Sequence, residues 1–476
     1  MKPQMTKWTR SSVQLFAASV ISLSALFSWA PAAHGEANPA AAASTAAVKG
    51  TASTEFRQQW EDWLRTNAYA LDTIQPAATK DGQAAEGSFS DLDMLKPLLL
   101  DKRIVYLGES SHGVAEFNSV KTRLIQFLHQ ELGFNVVAFE TPLGNAAAAF
   151  GNVKTKTPEE MLKTSIFPQW HTKETLPLFQ YMKETQATEQ PLKLAGFDMQ
   201  PMGPILAGDW MKDKDLSTRY TEAERSLWEW MSSEDLAAFA KEKPNLLKLY
   251  QDMKAKVAEQ EKTLAKLYPD NPHLIAMMNR MLDDRIRLVA EYIELSIKAN
   301  VTAQEGDYSG MMKMMEWRDQ AMADNLVWMA TEIYPTEKII VWGHNTHISK
   351  ATSRMEQSFM PVQGRFMGEL MQNTMFGPYS YTIGLYMGSG TSADNLGETF
   401  EVQPLPANSI ESLMKSANRP YTFVDLRYAE KSPGSSWMSE PRSALYFGML
   451  PEVFVPREQY DGILYIDQVK APAFLK

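Results

Sequence analysis

Two short polar segments, Gly108-Glu109-Ser110-Ser111-His112-Gly113 and Gly343-His344-Asn345-Thr346-His347, hold three of the chain's seven histidines. Neutral imidazole takes a proton from water near pH 7, and a carboxylate beside it stabilises the resulting cation. A second imidazole, or an arginine, can stabilise an oxyanion or return a proton to a leaving alkoxide. Two further acids, Glu140 and Asp198, close other apolar runs. His34, His129, His171 and His273 have no comparable setting.

Each group has a plainer reading. An acid that ends a strand often caps the next helix, which would account for Asp198 by itself. His344 and His347 could be buried, hydrogen-bonded residues of a turn. The glycines on either side of Glu109 and His112 favour close approach of a ligand. Other chemistries fit less well. His112 stands where G-x-S-x-G requires its last glycine, so the first segment is only half a nucleophile elbow. Glu-x-x-His and His-x-x-His spacings can supply metal ligands, but H-E-x-x-H is absent. No P-loop lysine follows a glycine-rich turn.

The elements that must position these groups are legible. Arg103–Leu107, Asn135–Phe139, Leu192–Gly196, Lys338–Trp342, Tyr379–Tyr386, Thr422–Asp425 and Gly462–Ile466 read as strands. Most are unbroken apolar runs, as in strands covered on both faces. A helical pattern over Glu116–Leu132 separates the early ones. This order predicts an α/β fold with a mainly parallel or mixed central sheet flanked by helices. If the strands run parallel, Glu109, His112, Glu140, Asp198, His344 and His347 meet at the carboxyl edge, where α/β sheets bind ligands. Phe56–Leu71 reads as a helix, and residues 207–329 read as a helical insertion or subdomain. Within it, Ser232 and Ser233 before Glu234 and Asp235 predict a helix N-cap. Met311, Met312, Met314 and Met315 read as core packing or a pliable wall.

The chain has 476 residues, 44% of them hydrophobic, and a formal net charge of -10. An acidic surface repels phosphate backbones, which argues against a nucleic-acid partner. The absence of cysteine removes thiol nucleophiles, thiolate metal sites and disulfides. Lys2, Lys7 and Arg10, the apolar run Val13–Trp29 and Ala30-Pro31-Ala32 read as an export signal over residues 1–35. An uncleaved anchor is the alternative. Residues 36–54 read as a flexible linker and 55–476 as the catalytic domain. These features predict an exported protein, extracellular, periplasmic or attached to the cell envelope, with no membrane partner once the signal is cleaved.

The motifs resemble those of the erythromycin esterase family. The matching stretches are Leu107–Gly113 with Glu116-Phe117, Phe134–Glu140, Gly196-Phe197-Asp198, Arg318-Asp319, Met322–Leu326 and Trp342–His347. Tyr381–Gly384 and Asp461–Ile466 also fit, so the likeness runs from about Phe56 to the C-terminus. The resemblance implies an α/β core with helical additions and hydrolysis of a macrolide lactone by activated water, without a covalent intermediate. It implies His112 as general base, with Glu109 orienting either that imidazole or the water. Glu140 and His344 complete the catalytic set, while Asp198, Arg318 and His347 bind substrate. No cofactor is required on this reading. The family accepts other small residues at Ser110 and Ser111, which argues against a serine nucleophile.

Three functions follow from the sequence. The first is an exported hydrolase acting on a small-molecule ester or lactone. The second is a metal-dependent hydrolase of peptides or amides, with Glu109, His112, His344 and His347 as ligands of a divalent ion. The third is an extracytoplasmic binding protein that has lost turnover.

Overall fold

All seven apolar runs form strands: β1 Ile104–Leu107, β2 Phe134–Pro142, β3 Lys193–Asp198, β4 Lys338–Trp342, β5 Ser380–Ala393, β6 Tyr421–Asp425 and β7 Gly462–Val469. The computed structural model describes residues 54–357, 363–427 and 431–476, so the expected signal and nearly all of the linker lie outside the described residues. With Tyr69–Ala70 and Thr399–Glu401 the strands build one nine-stranded sheet. Its order is Tyr69–Ala70, β6, β7, β5, β1, β4, β2, β3, and Thr399–Glu401 pairs with β5. From β7 to β3 every neighbouring pair is parallel. β6 and the two short strands pair antiparallel. The fold is therefore a mixed α/β fold around a mostly parallel sheet.

Alternation along the buried strands separates two cores. Ile104, Tyr106, Val136, Ala138, Ile339 and Val341 point into one, while Val105, Leu107, Val137, Phe139, Ile340 and Trp342 point into the other. Helix α1 (Thr54–Asn67) contributes Trp60 and Leu64 to the first. Helix α2 (Ala115–Leu132) contributes Phe117, Leu124 and Leu128 to the second and ends at Gly133, whose φ of 69° closes the helix in the left-handed region.

The stretch read as a helical insertion holds α3 Lys214–Met231, α4 Leu236–Glu259, α5 Leu274–Arg287, α6 Ile293–Gln304 and α7 Ser309–Trp328. The N-cap of α4 is Asp235, whose carboxylate accepts the Ala238 N–H at 2.8 Å, and not a serine. Ser232 instead ends α3, and Ser233 Oγ accepts the Asp235 N–H. Met314 joins the first core, whereas Met312 and Met315 pack with Phe366 in a separate apolar cluster.

A hairpin, Arg442–Tyr446 paired antiparallel with Leu450–Phe454, carries one buried acid, Glu452, and packs on another, Glu411. Glu411 accepts the Leu445 N–H at 2.7 Å, and Glu452 accepts Gln357 Nε2–H at 3.3 Å and Tyr386 O–H at 3.4 Å. Burial, the largest cause for each, raises both carboxyls to about 7. Their ordinary value is 4.5, so between there and 7 the folded chain binds more protons than the unfolded one. Stability must therefore fall as pH rises across that window. Glu411→Gln or Glu452→Gln is expected to stabilise the fold at pH 8 by about 1–3 kcal/mol and to change nothing at pH 4. Urea unfolding at the two pH values measures the difference.

Candidate active site

The parallel register brings the strand ends level: Leu107 pairs with Trp342, Phe139 with Trp342, and Pro142 with Asp198. Glu109 and His344 lie just beyond the ends of β1 and β4, Glu140 follows Phe139 inside β2, and Asp198 is the last residue of β3. The two glycines around the first segment serve the protein's own packing. A Cβ on Gly108 would stand 2.1 Å from Asn345 Oδ1, and one on Gly113 would stand 2.0 Å from the Ala393 carbonyl oxygen. The Glu109 carbonyl accepts the Asn345 N–H at 2.8 Å, which ties the two histidine segments together.

Glu109 and His112 form a buried dyad, with His112 Nδ1 2.7 Å from Glu109 Oε1. Trp170 Nε1–H donates to the same oxygen at 3.0 Å. Glu109 Oε2 is 2.5 Å from Lys121 Nζ, and both side chains are fully buried. The Lys121 ammonium also lies over the Trp342 ring, 4.2 Å from its centre. Burial draws the Lys121 pKa down to about 8, against the pull of Glu109. Since Nδ1 is engaged, Nε2 is the His112 nitrogen left to exchange a proton.

His344 faces His112 with ring centres 5.0 Å apart. The Thr346 N–H points at His344 Nδ1 at 3.2 Å, so the neutral ring carries its proton on Nε2. Burial, reinforced by His112, holds this imidazole well below its usual pKa. It is therefore a neutral N–H donor near pH 7. Phe447 stacks on it at 5.0 Å and Tyr446 meets it edge-on at 5.2 Å.

The remaining groups form a charged block. Arg318 Nη2–H donates to Asp198 Oδ2 at 2.6 Å and to Glu140 Oε1 at 3.1 Å. Glu140 Oε2 accepts the His344 N–H at 2.9 Å. His347 Nε2 stands 3.3 Å from both Arg318 Nη1 and Glu140 Oε1, and its Nδ1 is 2.8 Å from Asp319. Burial would raise the Glu140 pKa, but His347, Arg318 and His112 outweigh it and keep the carboxylate ionised. Burial would lower the His347 pKa, but Asp319 and Glu140 overcome it and leave it raised. Asp198 caps no helix. Its Oδ1 accepts the Gln200 N–H two residues on, and the other oxygen meets Arg318.

Side chains of the helical unit hold the exit of β3. The carbonyls of Phe197, Met199 and Pro201 accept from Asn325 Nδ2 at 3.1 Å, Arg285 Nη1 at 2.6 Å and Trp228 Nε1 at 3.0 Å. These donors come from α7, α5 and α3 and bracket Asp198 on both sides.

All seven expected site residues thus fall in one region. Sequence reasoning assigned no role to Lys121, Trp170, Asp319, Tyr446 or Phe447. Lys121 carried a signal, since it shares a helical stripe with Phe117, Leu124 and Leu128 where a lysine is out of place. Asp319 adjoins Arg318 in the quoted motif. Trp170 and the hairpin aromatics had no sequence signal. Among the described residues, no group of three or more His, Asp or Glu side chains is arranged to hold a metal ion.

Buried carboxylates and imidazoles gathered at the carboxyl edge of a parallel sheet are the layout of an α/β acid–base enzyme. The chain belongs to the erythromycin esterase family, whose model ("Erythromycin esterase") matches residues 129–469, and it is accordingly a hydrolase. That span begins after the Glu109–His112 loop. The chain is 33% identical over 427 residues to "Putative hydrolase YbfO" of Bacillus subtilis (strain 168), covering 88% of this chain and 92% of that protein. It is 22% identical over 395 residues to "Erythromycin esterase type II" of Escherichia coli, covering 78% and 89%. An erythromycin esterase mutant solved in its open conformation shares the fold, with a TM-score of 0.57 at 18% identity over 84% of this chain and 99% of that one.

Proposed function

We propose that this hydrolase cleaves a carboxylic ester, macrolide lactones included, by adding water activated at His112. The observation that carries this reading is the Glu109–His112 dyad facing a neutral His344 ring 5.0 Å away. His112 Nε2 takes a proton from water as the water oxygen bonds to the ester carbon. The carbonyl electron pair moves onto oxygen, and the resulting oxyanion is stabilised by the His344 Nε2–H and the Arg318 guanidinium. Glu109 offsets the charge gained by His112. When the oxyanion collapses, the carbon–alkoxide bond breaks and His112 returns its proton to the alkoxide. No cofactor enters these steps. A divalent cation at this site would compete with Lys121 for Glu109 and with Arg318 for Glu140 and Asp198. On this reading the protein acts outside the cytoplasm after removal of residues 1–35.

Purified mature protein incubated with 14-membered macrolides and simple aryl and alkyl esters is expected to yield products heavier by one water in mass spectrometry, or the separated acid and alcohol. Turnover should survive exhaustive chelation. Activity lost on chelation and restored by one metal equivalent supports the metal-dependent reading instead. Ligand-induced melting shifts without any product support the binding reading.

A further inference from the structure

The tip of the hairpin contains a residue in the wrong conformation for its type. Tyr446, Phe447, Gly448 and Met449 form a tight turn closed by the Met449 N–H on the Tyr446 carbonyl at 3.0 Å. Phe447 has φ 52° and Gly448 has φ 69°, so both central residues are left-handed, as in a type I′ turn. That turn favours asparagine followed by glycine, and a bulky aromatic at its first central position is sterically costly. The Phe447 N–H is fixed by the Ser110 carbonyl at 2.8 Å, next to Glu109. The ring lies flat on His344, 5.0 Å between centres and 21° between planes, and meets His112 edge-on at 5.9 Å.

We infer that Phe447 is a positioning residue: its strained backbone is maintained because the ring seals one face of His344 and sets that imidazole's orientation toward His112. Backbone strain of this kind persists where surrounding contacts impose it, and it clusters at functional sites. The inference rests on His344 acting in the proposed reaction. Three facts converge on it: the unfavourable residue type, the tie to the Ser110 carbonyl, and the stack on one of the two facing imidazoles.

The test is Phe447→Asn in the full chain, with Phe447→Tyr as the variant that keeps the ring. Asparagine suits the turn, so Tm is expected to rise by about 1–3 °C. At the same time kcat for the best ester should fall about tenfold or more with a smaller change in KM. The His344 ring signal in NMR should titrate at higher pH than in the parent, because water reaches the face that Phe447 covered. The titratable groups facing His344 are His112, Glu140, His347 and Tyr446, and all are unchanged in the variant. Phe447→Tyr should match the parent in all three measurements. A more stable Asn variant with parental kcat and an unmoved His344 titration overturns the inference. So does an Asn variant that melts lower, since that assigns the ring a packing role. His344→Gln separates the underlying assumption: full hydrolysis in that variant overturns the role of His344 in the reaction, whatever Phe447 does.

Discussion

Replacing His112 with alanine is expected to lower kcat for ester hydrolysis by about 100- to 10,000-fold, the usual contribution of a general base, with little change in KM. The alanine removes the imidazole that Glu109 holds beside the His344 ring. It leaves the oxyanion donors in place, so binding should persist. Rapid-quench kinetics with the best ester, alongside circular dichroism to confirm the fold, makes the measurement. Parental turnover in this variant would remove His112 from the reaction and leave the dyad with a structural role only.

The second large effect concerns Lys121. Lys121→Met would leave the Glu109 carboxylate wholly buried without its cation, 2.5 Å from where the ammonium stood. Breaking one side of a buried ion pair costs about 3–5 kcal/mol. Adding Glu109→Gln should recover most of that loss, since replacing both members of a buried pair is often near neutral. The double variant should nevertheless remain inactive, because an amide cannot offset the charge that His112 gains. Stability recovered without activity would show that the pair is kept for its effect on Glu109. Denaturant melts of the two variants decide it, and a single variant as stable as the parent would contradict the ion-pair assignment.

The sheet was readable because parallel strands buried on both faces leave apolar runs such as Ile339-Ile340-Val341-Trp342. The site was readable because its acids and imidazoles stand where those runs stop. The hairpin escaped notice for the opposite reason: Arg442, Ser443, Pro451 and Glu452 break its apolar pattern, although Arg442 and Glu452 are buried. With it went Tyr446 and Phe447. Asp235 displaced the expected serine cap because the chain needs Ser232 to finish α3 before α4 can begin. The glycines beside Glu109 and His112 pointed to close approach, but no spacing rule could name Asn345 and Ala393 as the neighbours.

The hold on the exit of β3 has an evolutionary consequence. The acceptors at Phe197, Met199 and Pro201 are main-chain carbonyls, which any amino acid supplies. These hydrogen bonds therefore set no demand on the three side chains, although Phe197 and Met199 are held by the first core. The donors have no such freedom, since only particular side chains at 228, 285 and 325 reach those oxygens. Among descendants that retain the reaction, Trp228, Arg285 and Asn325 should be constrained alongside the segment bordering the reacting water, although they lie on separate helices.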